Sequence, residues 1–333
     1  MIAWLGLLLL ATPDARAQDA LRWSAVRTVE HGEAVPELRF QPGVGGHLSV
    51  RVSCGTRDFA HSGAIRPGVE VVLPLKGLGE GRHRCEGAVV LHAADGSEGE
   101  LSLDVEVASL PGLTLDASLD DLDRDAHTLR LRANRPLVEG SFEVIGPRGV
   151  QLAGGDLDLS DPAAPLVAWP KGTEAVRIVA RGKDADGFFA DREATPWFLS
   201  VPHEDVVFAS GSASIPAEQE PKLADAMAAL ARALDTYGAV VQVQLYVAGY
   251  TDTVGTAEAN LALSERRAKA IAAWFRANGY RGEVFYMGLG ESALAVSTPD
   301  ETAEAANRRA LYVLSAGPPP VSADLPVSRW RKL

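Results

Sequence analysis

The chain has 333 residues, of which 47% are hydrophobic and 23% are charged, a composition that supports two or three domains with hydrophobic cores of their own. Its formal net charge of -12 excludes nucleic acid as a partner class, because such binding requires a basic surface that neutralises phosphates. The two cysteines and seven histidines show no metal-ligand spacing, so we expect neither a metal nor another cofactor.

The first residues indicate export. Residues 1–17 contain an apolar run that ends in the small-x-small pattern Ala15-Arg16-Ala17, which a signal peptidase accepts before Gln18. A retained anchor is the alternative, but the run has about half of the roughly 20 residues that cross a bilayer. With no Cys after the run and no later apolar span, we expect an exported protein without lipid anchor or transmembrane segment.

Residues 18–109 form the first predicted folding unit. Short alternating runs separated by Gly and Pro predict an all-β domain that ends in a long hairpin, "HRCEGAVVLHAADGSEGELSLDVEV". Both cysteines, Cys54 and Cys85, lie on predicted strands. In an exported protein a disulfide is the simplest interpretation of this pair, and two buried thiols are the alternative.

A second β series occupies residues 110–202 and predicts a small sandwich-like domain from the runs "LTLDASL", "HTLRLRA", "GSFEVIG", "EAVRIVARG" and "TPWFLSV". The acidic run at residues 120–125 suggests calcium binding. It fails the EF-hand template, because Ala126 stands where the turn glycine belongs and Arg132 where the bidentate glutamate belongs. A solvated turn is therefore the preferred interpretation.

Helices alternate with strands in residues 203–316. "VVF" at 206–208 predicts a strand, residues 216–238 predict a helix, and a strand at 240–249 leads through a turn into a second helix that ends at Asn278. Strands at 283–290 and 308–314 complete a βαβαββ unit, an α/β sandwich with helices packed on one sheet. The predicted fold class is thus α+β multidomain, with two N-terminal β-domains before this unit.

The last segment, residues 317–333, is rich in proline and predicts an extended, flexible tail. It ends in the basic and aromatic cluster Arg329-Trp330-Arg331-Lys332. A frayed terminus is the preferred interpretation, and docking to an anionic surface or partner is the alternative.

The second predicted helix carries an arginine on its inward side. At helical spacing Asn260, Ser264 and Arg267 share one stripe, which continues into the apolar face of the helix. A guanidinium keeps its charge, so an inward position requires an anion. The anion is either Asp252 in a private ion pair or a ligand.

Three features favour a ligand. Asn260 adds a hydrogen-bonding amide to the stripe, Thr251 and Asp252 emerge together at the end of a predicted buried strand, and Asn307-Arg308-Arg309 precedes the closing strand. A carboxylate beside one or two guanidinium groups, rimmed by neutral hydrogen-bonding side chains, matches a ligand with an ammonium and a carboxylate on one carbon. That is the head group of an amino acid.

The same residues carry a family resemblance. The segment Thr251-Asp252-x-x-Gly255 with Asn260 and Leu263-Ser264-x-x-Arg267-Ala268, then Gly288-x-Gly290-Glu291 and Asn307-Arg308-Arg309, resembles the signature of the OmpA C-terminal-like domain. That family includes the peptidoglycan-associated lipoprotein and the flagellar stator subunit. The resemblance implies non-covalent binding of the peptidoglycan stem peptide through meso-diaminopimelate. For an exported chain it also implies a location in the periplasm or at the outer membrane of a Gram-negative envelope. Asp252 would take the ammonium and Arg267 the carboxylate, with Thr251, Asn260 and Arg308 in supporting positions.

The chain departs from the family pattern at three points. Tyr250 replaces the usual His, Ser292 replaces the usual Pro after the Gly-x-Gly-Glu segment, and Ala and Glu replace the basic residue that commonly precedes Asn307. We expect these changes to tune affinity rather than abolish binding.

Catalysis and partner binding are the competing classes of function. No Gly-x-Ser-x-Gly motif, metal-ligand spacing or nearby histidine base accompanies the small polar stretch "ASGSAS", so we expect no enzyme activity and no catalytic residues. Alternatively, the protein is an interaction scaffold whose β-domains bind an outer-membrane or periplasmic protein, and the C-terminal domain is only structural.

Overall fold

The computed structural model describes residues 6–10, 18–209 and 211–333, with the backbone alone at 6–10, 18 and 19. The chain divides into two compact units, Met1–Leu113 and Thr114–Leu333. The predicted peptidase site at Ala15-Arg16-Ala17 lies outside the described residues. Among the residues that are described, no helix has the length and apolar character needed to cross a membrane.

The first unit contains two β-sheets. A four-stranded sheet has the order β1-β2-β4-β7, and a five-stranded sheet has the order β3-β9-β8-β5-β6. The strands are β1 (Gly6–Leu10), β2 (Gln18–Val26), β3 (Thr28–Glu30), β4 (Glu37–Pro42), β5 (Gly46–Cys54), β6 (Arg57–Ile65), β7 (Val71–Pro74), β8 (Gly81–Ala93) and β9 (Glu98–Leu110). The predicted hairpin is the β8–β9 pair.

Alternating side chains from both sheets form one core. Trp23 and Phe40 of the four-stranded sheet share a buried cluster with Val50 and Leu91 of the five-stranded sheet. Cys54 on β5 and Cys85 on β8 pair directly across the two strands and form a disulfide within this core. The disulfide joins residues 31 apart in sequence, so it also constrains the unfolded chain.

Replacing both cysteines with serine should lower the free energy of unfolding of the first unit by about 3 to 4 kcal/mol, as expected for a loop of this length. The measurement is chemical denaturation of the oxidised parent and of the double Cys54→Ser, Cys85→Ser variant, followed by circular dichroism. A control variant, Ser62→Ala on the edge strand β6, should change stability by less than about 0.5 kcal/mol. Equal midpoints for the double variant and the parent would contradict the stabilising role.

The β-rich part of the second unit is built from short sheets. Its strands pair as β10-β13, as β11-β12-β16 and as β15-β14-β17-β18. They are β10 (Leu115–Asp116), β11 (Leu122–Asp123), β12 (Thr128–Arg130), β13 (Arg132–Ala133), β14 (Leu137–Ile145), β15 (Gln151–Asp156), β16 (Leu166–Ala168), β17 (Arg177–Asp184) and β18 (Phe189–Ala194). The acidic run forms a turn in which Asp123 accepts from two backbone N–H groups, and Arg132 forms an ion pair with Asp121 at 2.5 Å.

The α/β part has two helices and a five-stranded sheet of order β19-β22-β20-β21-β23. The elements are β19 (Phe198–Ser200), α1 (Glu220–Tyr237), β20 (Gln244–Tyr250), α2 (Ala257–Ala277), β21 (Val284–Gly290), β22 (Ala310–Ser315) and β23 (Arg331–Lys332). Strands β20 and β21 are parallel, and the other neighbours are antiparallel. Helix α1 begins after a short 3₁₀ turn at Ala217–Gln219, close to its predicted start.

The first strand of this sheet differs from the prediction. Residues 206–208 form no strand, and β19 takes the edge position beside β22 instead. The run "TPWFLSV", predicted as the last strand of the preceding β-domain, therefore belongs to the C-terminal sheet. The reason is its apolar side chains, since Trp197 and Val201 are buried in the same cluster as Leu223 and Leu230 of α1.

The tail is docked, in contrast to the flexible segment expected from its proline content. Leu325 is buried, the Trp330 ring lies 5.0 Å from the Tyr246 ring, and β23 pairs with β21. The basic residues find acidic partners in the same unit, with Arg331 2.6 Å from Glu265 and Lys332 in contact with Glu283. The sheet thus carries the helices on one face and the tail on the other.

Candidate functional site

The candidate site lies at one edge of the α/β sheet, where three strand ends meet. The parallel strands β20 and β21 both finish there, and the antiparallel β22 begins there. This topology brings Thr251 and Asp252, which follow β20, close to Glu291 after β21 and to Arg308 before β22. Residues far apart in sequence lie close together here because the loops that flank three strands meet at this edge.

Helix α2 brings the remaining polar groups to this edge. Thr256 caps its amino terminus by accepting from the Ala259 N–H at 3.2 Å. The helix lies directly on the strands, because a Cβ at Gly288 would stand 2.4 Å from the Glu265 nitrogen. Ser264 fixes the contact by accepting from the Gly290 N–H at 2.9 Å. This close approach turns the side chain of Arg267 inward, as the helical spacing predicts.

Asp252 and Arg267 do not form the private ion pair considered in the sequence analysis. Asp252 contacts Arg308 instead, with Arg308 Nη1 2.7 Å from Asp252 Oδ2. Within the described part of the chain, no carboxylate lies within 4.0 Å of the Arg267 guanidinium, and no donor reaches Asp252 Oδ1. Both charges thus keep capacity for a further partner.

Arg267 is only 7% exposed, yet its contacts are neutral. Its Nε donates to the Ser212 carbonyl at 2.9 Å and its Nη2 to the Ala209 carbonyl at 3.3 Å, while the guanidinium carbon lies 5.0 Å from the centre of the Phe208 ring. Burial lowers the pKa of Arg267, and the nearby Asp252 acts in the opposite direction. The guanidinium remains charged at neutral pH, so the arrangement suits a bound carboxylate.

Two neutral side chains complete the polar lining. The Asn260 amide nitrogen donates to the Asp252 and Val254 carbonyls and to Glu291 Oε2 at 2.7 Å, which holds the turn after β20 in place. Thr251 is 2% exposed, and its hydroxyl has no hydrogen-bond partner among the residues that the structure describes. A buried hydroxyl without a partner costs free energy, and a ligand atom would relieve that cost.

These side chains line one cleft of about 600 Å³. All five residues predicted as ligand-binding border it: Thr251, Asp252, Asn260, Arg267 and Arg308. The cleft has room for an amino-acid head group with part of its chain, and it carries opposite charges on separate side chains. It is thus chemically suited to hold a zwitterion.

Sequence reasoning missed one wall of the cleft. Phe208 and Gly211 line it, and the Ala209 and Ser212 carbonyls accept from Arg267. The stretch "ASGSAS" was considered only as a catalytic candidate. Phe208, directly before this small polar stretch, could have indicated this wall, because a buried guanidinium often packs on an aromatic ring.

Tyr250, which departs from the family pattern, and Asn307 have structural roles beside the cleft. Tyr250 is 2% exposed on the tail side of the sheet, donates to the Asp324 carbonyl at 2.6 Å and stacks with Arg309, so it does not line the cleft. Burial also raises its pKa above the usual range. Asn307 makes two hydrogen bonds to the Val296 backbone and thereby fixes the loop before β22.

The described residues contain no group of three or more His, Cys, Asp or Glu side chains arranged to hold a metal ion. Around Asp252 the polar lining consists of guanidinium, amide and hydroxyl groups. Groups of this chemistry are able to bind and orient an ionic ligand, and none of them is a base with an ordinary pKa near neutrality.

Comparison with known proteins defines the class of this site. Residues 207–308 match the model of the OmpA family. The chain is similar to the peptidoglycan-associated lipoprotein of Pasteurella multocida (strain Pm70), with 42% identity over 69 residues that make up 20% of this chain and 46% of that protein. It thus spans about half the length of this curated relative.

Two solved structures are also similar. The cell wall anchor of the T6SS from Pseudomonas aeruginosa is 23% identical, with coverage of 43% of this chain and 85% of that chain and a TM-score of 0.29. The peptidoglycan-associated lipoprotein from Burkholderia pseudomallei is 27% identical, with coverage of 33% and 89% and a TM-score of 0.28.

Proposed function

We propose that the OmpA-like domain binds the peptidoglycan stem peptide non-covalently at meso-diaminopimelate and anchors an exported envelope protein to the cell wall. The family match and the relative named as peptidoglycan-associated support association with the wall. The zwitterionic cleft supports the finer assignment of ligand. The protein acts as a binding module without catalysis, in the periplasm.

The observation that carries the proposal is the unpaired charge of Arg267. The guanidinium is 7% exposed, and among the described residues it meets only carbonyls and a ring, without the anion that its burial calls for. A ligand carboxylate supplies that anion through the planar fork of the guanidinium. The Thr251 hydroxyl, buried without a partner, supplies a neutral contact beside it.

Asp252 takes the ligand ammonium in this arrangement. Its Oδ2 is held by Arg308, whose side chain is 41% exposed, and Oδ1 accepts the ammonium. Arg308 therefore orients the carboxylate, and Asn260 fixes the backbone at Asp252. The opposite signs of Asp252 and Arg267 select a ligand with both charges on one carbon.

The test is co-sedimentation of the full chain with purified sacculi, with free meso-diaminopimelate as competitor. We expect competed binding by the parent and binding weakened by about 2 to 4 kcal/mol in Asp252→Ala, because the ligand ammonium loses its counter-charge. Asp235→Ala, an exposed carboxylate on α1, is the matched control and should bind like the parent. Full binding by folded Asp252→Ala would refute the ligand assignment. No binding by the parent would refute wall binding and indicate that the β-rich parts carry the function.

A further inference from the structure

The second unit has another polar pocket, which Pro196 and Phe198 help to line and which differs from the cleft in its lining residues. It has a volume of about 200 Å³ and shares no lining residue with the cleft. Its lining is rich in aromatic side chains, with Trp169, Trp197 and Phe198, and contains the polar residues Arg124, His127, Thr173 and Glu174. We propose that this pocket binds a pyranose ring of a saccharide.

The strongest observation is the indole N–H of Trp197. Trp197 is 2% exposed and lines the pocket, yet its Nε1 has no hydrogen-bond acceptor among the described residues. The Tyr237 ring packs on it at 4.4 Å, and the Tyr237 hydroxyl donates to Glu174 Oε2 at 2.8 Å. The indole N–H lies near this hydroxyl but does not form a hydrogen bond of standard geometry with it. A buried donor without an acceptor calls for a ligand oxygen.

The histidine of the pocket also has an unused ring nitrogen. His127 Nδ1 is hydrogen-bonded to the Pro170 carbonyl at 2.9 Å, and Nε2 makes no hydrogen bond with the described residues. The backbone of His127 lies in the left-handed region at φ 58°, held by a hydrogen bond from the Trp169 N–H to its carbonyl. A non-glycine residue held in this region is a feature that clusters at binding sites.

Glu174 and Arg124 also use only some of their hydrogen-bonding atoms within the protein. Glu174 uses Oε2 for Tyr237, which leaves Oε1 as an acceptor. Arg124 donates Nη2 to the Pro196 carbonyl at 2.9 Å, and its guanidinium lies over the Phe198 ring at 5.1 Å. The Trp197 indole N–H, Glu174 Oε1 and His127 Nε2 thus remain for a ligand, together with the N–H groups of Arg124 that do not meet Pro196.

This combination fits a pyranose better than other small ligands. The C–H faces of a pyranose pack on aromatic rings, and its hydroxyl groups both donate and accept. Phe198, 39% exposed, offers an accessible ring at the pocket edge, while Trp169 is 9% exposed. The volume admits one ring, and the opposite formal charges of Glu174 and Arg124 cancel, so the pocket has no net charge to favour a strongly ionic ligand.

The experiment titrates the full chain with N-acetylglucosamine and, separately, with glucose, and follows the indole N–H resonances by NMR. We expect a saturable shift of the Trp197 resonance with a dissociation constant on the order of 1 mM. Preference for N-acetylglucosamine would indicate an amino-sugar polymer as source, and preference for glucose a neutral polysaccharide. Both results support a pyranose site, whereas no shift with either sugar overturns it.

Variants separate a binding role from a structural one. Phe198→Ala removes the exposed ring and should weaken sugar binding about fivefold or more, and His127→Asn, which tolerates the left-handed backbone, should do the same. Phe189→Ala, a 74% exposed ring on β18, is the matched control. Unchanged affinity in folded Phe198→Ala and His127→Asn would overturn the proposal. Asp252→Ala should leave sugar binding intact, so failure here is distinguishable from failure of the cleft.

Discussion

Arg267→Met should reduce the affinity of the protein for sacculi by about 3 kcal/mol, more than a hundredfold, with almost no loss of stability. The variant removes the guanidinium that we propose as the partner of the ligand carboxylate, and it keeps a side chain of similar length. Arg267→Lys should also weaken binding, by about 2 kcal/mol, because the ammonium lacks the planar fork.

The free energy of unfolding should change much less than the affinity, because the buried charge of Arg267 destabilises the ligand-free protein. Its burial removes water from a charge that no carboxylate of the described residues meets. Methionine loses the two hydrogen bonds to Ser212 and Ala209 but also removes this desolvation cost, so the free energy of unfolding should change by less than about 1 kcal/mol.

Both quantities are measurable on one set of proteins. Co-sedimentation with sacculi gives the affinity, and differential scanning calorimetry gives the unfolding midpoint of the second unit. Arg276→Met makes the same substitution in the last turn of α2, outside the cleft, and should leave binding unchanged. Parallel loss of stability and binding in Arg267→Met would indicate that Arg267 supports the fold and does not meet a ligand.

The periodic elements of the α/β part were predictable from sequence. The stripe through Leu223 and Leu230 predicts α1, and the inward positions of Asn260, Ser264 and Arg267 follow from the period of α2. The strand ends were predictable as well, because Gly249-Tyr250 and Gly288-x-Gly290 bring the two polar turns to one edge. These are local patterns, and local patterns are what a single sequence contains.

The partners of each charge were not predictable. The sequence suggested Asp252 and Arg267 as a possible pair, whereas the fold pairs Asp252 with Arg308 from a loop 56 residues away. The carbonyls that meet Arg267 come from a loop without regular periodicity, before α1. Such contacts depend on tertiary placement, which neither propensity nor spacing encodes.

The edge strands of the α/β sheet were also predicted incorrectly. "VVF" has the composition of a strand, but "TPWFLSV" takes the position beside β22 because its alternation buries Trp197 against α1. The tail was misjudged for a related reason, since proline content predicts extension but does not say whether an extended segment has a surface to cover. That surface is the row of Tyr246, Ala248 and Tyr250 on the face opposite the helices.

Deletion of residues 318–333 should therefore destabilise the α/β part by about 3 kcal/mol or more. The deletion removes the buried Leu325 and the Trp330 ring, and it exposes Tyr246 and Tyr250. It also removes the Asp324 carbonyl that accepts from the Tyr250 hydroxyl and the Asp324 carboxylate 2.7 Å from Arg309. The measurement is the unfolding midpoint of the second unit in the full chain and in the truncated chain.

Single substitutions separate packing from chain length. Leu325→Ala should cost about 2 to 3 kcal/mol, because it leaves a cavity against the sheet, whereas Val321→Ala should be nearly neutral, because Val321 is 65% exposed. Equal stability of the truncated and full chains would show that the tail is not part of the folded domain.

The deletion should also weaken the cleft, although no tail residue lines it. Tyr250 and Arg309 are the chain neighbours of Thr251 and Arg308, and both are held by Asp324. Without the tail, the turns that place Asp252 and Arg308 lose their support on the far side of the sheet, and we expect sacculus binding to fall by roughly tenfold. Leu325→Ala is the control, because it keeps both Asp324 contacts. If binding falls in the deletion and in Asp324→Ala but not in Leu325→Ala, the Asp324 contacts support the cleft. Full binding by the truncated chain would show that the tail does not support the cleft.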